Sequence, residues 1–186
     1  MADPPVNIVF PAACYTAVVE HGRRKLVGTW EPDEEQAPKA YGLVGARVEG
    51  ATATVIDVVP LRTNLRARED YKDEVDRLMD ELAVPSETPF DRRGWVADPR
   101  EVLAAERRFE DADGVLFGAY HMHRVAWPDD PRRDTCTALD TALARGSGLW
   151  AFILSMVDPD QPVLRAFFEG DNHREGRISV TEEARR

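Results

Sequence analysis

The chain has 186 residues, a net charge of −10 and only two cysteines, Cys14 and Cys136. This length suits one domain that can bury a hydrophobic core without disulfide or metal staples. The acidic balance argues against nucleic acid as a partner, since phosphate binding needs a basic face. With no signal-peptide pattern and no apolar run near the roughly 20 residues that span a bilayer, we expect a cytoplasmic protein without membrane contacts.

The first third of the chain predicts a helix followed by a β-hairpin. Pro11 suits a first helical turn and Gly22 suits the position past the last one. Two segments rich in Val, Ile and Ala flank Glu49-Gly50, a tight connection between strands. In chain order, the predicted elements are a helix over 11–21, an acidic loop over 31–38 and strands over 41–48 and 53–59.

A charged stretch over 60–93 carries apolar residues at helical spacing, and this predicts an inserted amphipathic helix. The residues that form the stripe are Tyr71, Val75, Leu78, Met79 and Leu82. We interpret the stripe as a packing face rather than a partner-binding groove.

The second half of the chain alternates helices and strands. Asp98-Pro99 predicts the start of a helix that runs to about Asp111, with the aspartate as N-cap. Asp134 or Thr135 can cap a further helix that ends at Gly146. Strands are predicted over 114–120, 149–156 and 162–168. This order indicates an α/β fold with a mixed β-sheet sandwiched by helices.

The residues after the last predicted strand are charged and contain few apolar side chains. We therefore expect one domain over 1–169, with a helical insertion near 66–93, and a flexible charged tail over 170–186.

The most informative motif is Gly118-Ala119-Tyr120-His121-Met122-His123 followed by Thr137-Ala138-Leu139-Asp140. Successive side chains in a strand point to opposite faces, so His121 and His123 share a face and can grip one cation. Asp140, one helical turn after Thr137, is a candidate third ligand. Two histidines and a carboxylate leave a fourth tetrahedral position for water, which is how catalytic zinc is held. The alternative is a histidine pair that merely fills a strand face.

Taken together, these pieces resemble the JAMM/MPN metalloproteases, which include deubiquitinating isopeptidases and bacterial proteases that act on ubiquitin-like proteins. The resemblance spans about residues 8–169 and follows the family's order. The segment around His121 and His123 matches the family's Gly-x-Tyr-His-Ser-His, and Thr137 to Asp140 stands where the family has Ser-x-x-Asp. The other matching pieces are Tyr41-Gly42-Leu43-Val44-Gly45, Val59-Pro60-Leu61 with Asn64, Asp98-Pro99, and Ala151-Phe152-Ile153-Leu154-Ser155.

The resemblance implies a JAB/MPN-like (cytidine-deaminase-like) fold and a zinc-dependent peptidase or isopeptidase. Its metal ligands would be His121, His123 and Asp140, and its substrate a protein or peptide, such as the tail of a ubiquitin-like or sulfur-carrier protein. Thr137 stands at the family's serine, whose hydroxyl donates to the oxyanion, and threonine keeps such a donor. The alternative for Thr137 is a local hydrogen bond at the helix start.

Lys39 is the main departure, because it stands where the family has its catalytic glutamate, three residues before Gly42. A general base contributes roughly 10²- to 10⁴-fold to a rate, so its loss leaves slow hydrolysis at best. Glu35 in the acidic loop is the candidate replacement base, with Glu34 beside it. The alternative for Glu34 and Glu35 is that they belong to a solvated acidic loop with no catalytic role. Lys39 itself either points into the site or lies at a strand edge and points to solvent.

Two residues beside the motif have alternative interpretations. Asp134 is either a helix cap or a metal ligand, and Cys136 is either a buried small residue or a zinc ligand. The loop between His123 and Thr137 is longer than in the family. We expect the extra residues to enlarge the loop beside the metal, where they either narrow substrate access or supply contacts. Two functions therefore stay open: a zinc hydrolase, and a catalytically silent domain that binds a metal or a protein partner.

Overall fold

The computed structural model describes residues 4–84, 88–89 and 92–182. Seven strands and four helices occupy these ranges. The strands are β1 (Asn7–Pro11), β2 (Tyr41–Glu49), β3 (Thr52–Pro60), β4 (Val115–His123), β5 (Trp150–Ser155), β6 (Val163–Phe168) and β7 (Glu175–Thr181). The helices are α1 (Ala12–Leu26), α2 (Glu69–Leu82), α3 (Pro99–Asp111) and α4 (Ala138–Ala144).

The strands form a closed barrel in the order β1-β3-β2-β4-β5-β6-β7. Pairing is mixed, since β1 runs parallel to both β3 and β7 and β4 runs parallel to β5, while the other neighbours are antiparallel. β2 and β4 lie side by side near the middle of this order. The carboxyl end of β4 therefore faces the start of β2.

The predicted fold class is wrong. A mixed sheet sandwiched by helices, as in a JAB/MPN-like fold, has two free edges, whereas here β1 and β7 pair through five residues and close the sheet. Closure removes the exposed edges that an open sheet would need helices or charges to protect. The reason is local: Ile8 and Phe10 of β1 are fully buried, so the strand lies in the core and needs a partner on each side.

The expected tail over 170–186 contains β7, which pairs with β6 as well as β1. Its side chains are mostly exposed, with only Gly176 buried, and its apolar alternation is short, with Ile178 and Val180 as the large apolar residues. Main-chain hydrogen bonds to β1 and β6 and the packing of Ile178 against the core hold it in place. Residues 183–186 lie outside the described part.

The local predictions were more successful. β2 and β3 form the expected hairpin, α2 occupies the expected insertion, and Asp98 caps α3 by accepting a hydrogen bond from the Arg100 N–H at 2.9 Å. α1 extends beyond the predicted end at 21. Among the described residues, no helix combines the length and apolar character needed to cross a membrane.

A large hydrophobic core fills the space between the barrel and α1, and a smaller one lies between α3 and the outer faces of β2 and β4. Tyr120 of β4 belongs to the large core and packs so tightly on Gly42 of β2 that a Cβ there would lie 2.3 Å from its ring. The side chain of His121, which follows Tyr120, consequently faces the other way, toward the candidate metal centre.

Candidate metal centre

The end of β4 places two imidazoles on one face of the barrel wall. Tyr120 and Met122 are buried in the core, and His121 and His123 alternate with them. The Nε2 atoms of the two histidines lie 3.0 Å apart. This confirms the shared face predicted from the His-x-His spacing.

Asp140 comes from the first turn of α4 and is held there by a capping box with Thr137. The Thr137 hydroxyl accepts a hydrogen bond from the Asp140 N–H at 3.2 Å. In return, Asp140 Oδ2 accepts hydrogen bonds from the Thr137 N–H at 2.7 Å and from its hydroxyl at 2.8 Å. The carboxylate is therefore fixed in orientation before any ligand binds.

The carboxylate closes a three-membered cluster with the histidines. Asp140 Oδ1 lies 3.2 Å from His121 Nε2, and Oδ2 lies 3.5 Å from His123 Nε2. One candidate ligand atom from each residue falls within 4.8 Å of the other two, and within the described ranges this is the one such group of His, Cys, Asp and Glu side chains. The arrangement could hold a metal ion.

His123 is oriented from behind by the loop that precedes α4. Its Nδ1 lies 2.9 Å from the main-chain oxygen of Arg133. A carbonyl can only accept, so Nδ1 must carry the proton, and the neutral ring then presents an unprotonated Nε2 to the cluster. Burial lowers the pKa of His123, with the neighbouring His121 acting in the same direction and Asp140 opposing them. The ring is thus kept neutral, as metal binding requires.

Asp140 is kept ionised. Burial would raise its pKa, but the two histidines more than offset this and hold the pKa well below its usual range. A charged carboxylate beside two imidazoles is the form that binds a cation.

Two aromatic residues that the sequence interpretation missed line one side of the cluster. Tyr41 stacks on the His121 ring at 5.4 Å between centroids, and Trp95 stacks in turn on Tyr41, with 4.9 Å between the centroids of those two rings. Tyr41 lies directly opposite His121 in the β2–β4 register. Burial, with Asp140 adding to it, raises the pKa of Tyr41. The phenol remains a neutral donor near the carboxylate.

Lys39 precedes β2 by two residues and donates a hydrogen bond from Nζ to the Gly94 oxygen at 3.2 Å. It is half-buried, so the hypothesis of a fully solvent-directed lysine does not describe it. Gly94 directly precedes Trp95. The Lys39 ammonium group therefore lies against the segment that carries Trp95, the ring stacked on Tyr41.

The acidic loop is anchored to α1 through Glu34, while Glu31 and Asp33 are exposed. Glu34 is 6% exposed and lies in contact with Arg24, Lys25 and His21 of α1. The Glu35 N–H donates to the Arg62 oxygen at 2.7 Å, and its own main-chain oxygen accepts from Lys25 at 2.6 Å. Neither carboxylate joins the metal-binding group.

The structure also places the remaining candidates. The N-cap of α4 is Thr137 and not Asp134 or Thr135, so that prediction is wrong; Asp134 instead pairs with Arg165 at 3.2 Å. Cys136 is buried, and burial together with Asp140 raises the pKa of its thiol to about 12. It remains a protonated thiol outside the cluster.

Comparison with known proteins identifies the fold but no function. No family model matches the chain, and no curated protein matches it. The chain is similar to the solution structure of protein DSY2949 from Desulfitobacterium hafniense, with 24% sequence identity and a TM-score of 0.61, over 95% of this chain and 94% of that one. At this identity the likeness shows a shared fold alone.

Proposed function

We propose that the chain is a zinc-dependent hydrolase of peptide or isopeptide bonds, with His121, His123 and Asp140 as its metal ligands. The observation that carries the proposal is the convergence of three ligand atoms, two of which are already held in metal-binding orientation by Arg133 and Thr137. Since the fold is a closed barrel, the proposal rests on this centre and on the motif resemblance to JAMM/MPN enzymes.

The spacing of the ligand atoms suits a tetrahedral ion. Zinc bonds of about 2.0–2.1 Å at tetrahedral angles separate neighbouring ligand atoms by about 3.3 Å. The two Nε2 atoms lie 3.0 Å apart here, and each lies close to a different oxygen of the Asp140 carboxylate, His121 at 3.2 Å from Oδ1 and His123 at 3.5 Å from Oδ2. Two imidazoles and a carboxylate are a ligand set of catalytic zinc, in which the remaining position takes water or substrate.

Bound zinc supplies a Lewis acid and a water whose pKa falls toward about 7. The chain's own residues prepare the site for it. His123 offers a neutral nitrogen, His121 places its Nε2 beside it, and Asp140 supplies one negative charge. The Thr137 hydroxyl donates a hydrogen bond to Asp140 Oδ2 and so orients a proposed ligand. For Thr137 to donate to an oxyanion instead, this hydrogen bond would have to break.

The second candidate, a metal-binding domain without turnover, is favoured by one specific observation. Lys39 occupies the position at which the resemblance places the general base, and its ammonium group is hydrogen-bonded to Gly94. A cation cannot accept the proton of a metal-bound water. Glu35 remains our candidate base for the hydrolase, because it is the half-buried carboxylate of the same connection between α1 and β2.

The substrate class follows from the resemblance alone. We propose the extended tail of a ubiquitin-like or sulfur-carrier protein, by analogy rather than from the site's geometry. A cytoplasmic location is supported by two free cysteines in the described part of the chain, Cys14 and Cys136.

Metal analysis tests the proposal. We expect about one zinc per chain in the purified protein and in His173→Ala, a control at an exposed histidine, and a near-complete loss in His123→Ala. The zinc-loaded protein should cleave a tail peptide, and His123→Ala should not. Equal, negligible zinc in all three proteins, or another metal in place of zinc, would overturn the zinc centre. Full zinc loading without cleavage would select the silent domain.

A further inference from the structure

The loop between β4 and α4 is built around one residue, Arg133, whose main chain touches the metal centre. Arg133 has a φ of 52°, a left-handed conformation that residues with a side chain rarely adopt. Its main-chain oxygen accepts the hydrogen bond from His123 Nδ1. The position of that oxygen therefore depends on keeping an unfavourable backbone conformation.

The Arg133 side chain holds this conformation. It is 7% exposed, and the guanidinium carbon lies 3.4 Å from the centroid of the Trp127 ring. Asp130 binds both ends of the residue: Oδ1 accepts from the Arg133 N–H at 2.8 Å, and Oδ2 lies 3.5 Å from Nη1. Trp127 and Asp130 are joined in turn by two main-chain hydrogen bonds of 3.1 Å. We refer to Trp127, Asp130 and Arg133 as the loop clamp.

The clamp is docked on the strand ends by two consecutive carbonyls. The Arg132 oxygen accepts a hydrogen bond from the Ser155 hydroxyl, and the Arg133 oxygen accepts from His123. Ser155 and His123 are direct neighbours in the β4–β5 register. Two sets of contacts thus fix the position of the Arg133 carbonyl that orients His123. The ends of β4 and β5 hold it on one side, and the buried guanidinium of Arg133 holds it on the other.

A buried arginine is an expensive device for loop packing alone. Its Nε has no hydrogen-bond partner among the described residues, and an unpaired buried donor carries a desolvation cost. A simple turn could connect β4 to α4 without it. The contacts that do form converge on fixing one carbonyl, and partners of this kind set the tautomer, orientation and basicity of a ligating histidine.

We propose that Arg133 is a positioning residue of the metal centre: through its contacts with Trp127 and Asp130 it holds the left-handed backbone whose carbonyl orients His123. The inference rests on the proposed metal site but not on hydrolysis. The clamp presents His123 with Nδ1 protonated and Nε2 open before the metal arrives, and it thereby raises metal affinity.

Arg133→Gly is the sharpest variant, because glycine adopts positive φ readily and keeps the main-chain carbonyl while removing the clamp's side chain. The matched control is Arg132→Gly, which deletes the neighbouring arginine, whose side chain is 81% exposed. We expect the zinc dissociation constant, from competition with a chelator, to rise about 10- to 100-fold in Arg133→Gly and to change by less than about twofold in Arg132→Gly. Trp127→Leu should weaken zinc binding in the same direction.

A second readout uses the metal-free protein, so that it is independent of both zinc binding and turnover. Nitrogen-15 NMR of the histidine rings should show His123 as the Nδ1–H tautomer in the wild type and in Arg132→Gly, and as a mixture of tautomers in Arg133→Gly. A role in loop packing alone would lower the melting temperature without changing the tautomer of the folded protein.

Two results would overturn the proposal: zinc affinity in folded Arg133→Gly equal to that of Arg132→Gly, or a wild-type His123 that carries its proton on Nε2. The second measurement needs no variant, so it decides the matter even if Arg133→Gly does not fold. A protein that binds zinc with the expected dependence on Arg133 but cleaves no peptide would leave this inference intact and remove only the hydrolase.

Discussion

At the scale of single residues, the chemistry of the site depends on which charges stand beside the metal ligands. Asp140 is the one carboxylate in the cluster, and Lys39 brings an ammonium group to the segment next to it. A nearby cation disfavours metal binding, while a carboxylate in its place could accept a proton from a metal-bound water. The identity of residue 39 therefore bears on both metal affinity and the source of the general base.

If residue 39 stands at the base position and Glu35 is not the base, Lys39→Glu should raise zinc-dependent cleavage of a tail peptide by about 10²-fold or more, the scale of an added general base, and Glu35→Gln should have no effect. Lys39→Gln is the matched control, because it removes the cation without adding a base, and its rate should stay within about tenfold of the wild type. The measurement is kcat/KM for the zinc-loaded proteins. Equal rates in Lys39→Glu and Lys39→Gln would contradict a base at this position.

Glu35→Gln tests the other candidate base in the same assay. If Glu35 takes the water proton, as we propose, wild-type turnover should fall by about 10²-fold in this variant, while zinc content stays the same. Glu34→Gln does not serve as a control, since Glu34 is a buried partner of three side chains of α1. A wild-type rate that survives Glu35→Gln would rule out the loop carboxylate.

The spacing in the sequence was sufficient to find the three residues of the cluster but not their surroundings. His121 and His123 share a face because alternation in a strand is a local property. Tyr41, Trp95 and Arg133 are missed because each meets the centre through strand register or loop geometry, which no local pattern encodes.

At the scale of elements, a buried polar cluster joins α1, the acidic loop and β4 behind the metal face. His21 Nδ1 lies 2.7 Å from the Tyr120 hydroxyl, and Glu34 contacts His21, Arg24 and Lys25. Tyr120 directly precedes His121, one of the proposed ligands. The buried polar cluster thus fixes the strand that carries His121 and His123 relative to the loop that carries the candidate base.

This cluster predicts a loss of stability in acid. Burial is the main reason that the pKa of His21 falls from 6.5 to about 4. The folded state therefore resists a proton that the unfolded chain accepts, and stability present above about pH 6.5 is lost as the pH falls toward 4. Arg24, the Glu31 N–H and Lys25 overcome the effect of burial and lower the pKa of Glu34 to about 2, which extends the loss from pH 4.5 downward.

We expect the melting temperature to fall between pH 6.5 and pH 4, and His21→Gln to remove part of that fall because glutamine does not titrate. His173→Gln, at an exposed histidine, should keep the wild-type profile. Thermal melts over this pH range would measure the effect. A His21→Gln profile that parallels that of His173→Gln would show that His21 does not couple folding to protons.

At the scale of the whole molecule, closure of the barrel depends on its last strand. β7 supplies the neighbour for β1, whose Ile8 and Phe10 are fully buried. Gly176 allows the close approach, since a Cβ there would lie 2.7 Å from the Trp150 ring and 2.8 Å from the Ile8 side chain. Although most of its side chains are exposed, β7 is therefore needed to close the barrel around the hydrophobic core.

Deletion of residues 170–186 should therefore lower stability strongly, in contrast to the small effect expected of a flexible tail. Gly176→Val is the point-substitution version, and overpacking of this kind costs about 1–3 kcal/mol. Arg177→Ala on the same strand, at an exposed side chain, should change the free energy of unfolding by less than about 0.5 kcal/mol. Urea unfolding of the four proteins tests this, and a deletion variant as stable as the wild type would contradict barrel closure by β7.

The sequence by itself determined the features that arise between residues close along the chain. These are the Asp98-Pro99 helix start, the β2–β3 hairpin, the amphipathic helix α2 and the shared face of His121 and His123, all set by short-range sterics, hydrogen bonding and periodicity. Only the tertiary structure decided the parallel pairing of β1 with β7, the stacking of Tyr41 on His121 and the loop clamp behind His123. The first two contacts join residues distant in sequence, and the clamp depends on a loop conformation that is docked on the ends of β4 and β5. Their free energy comes from burial and main-chain pairing that exist only once the barrel has closed.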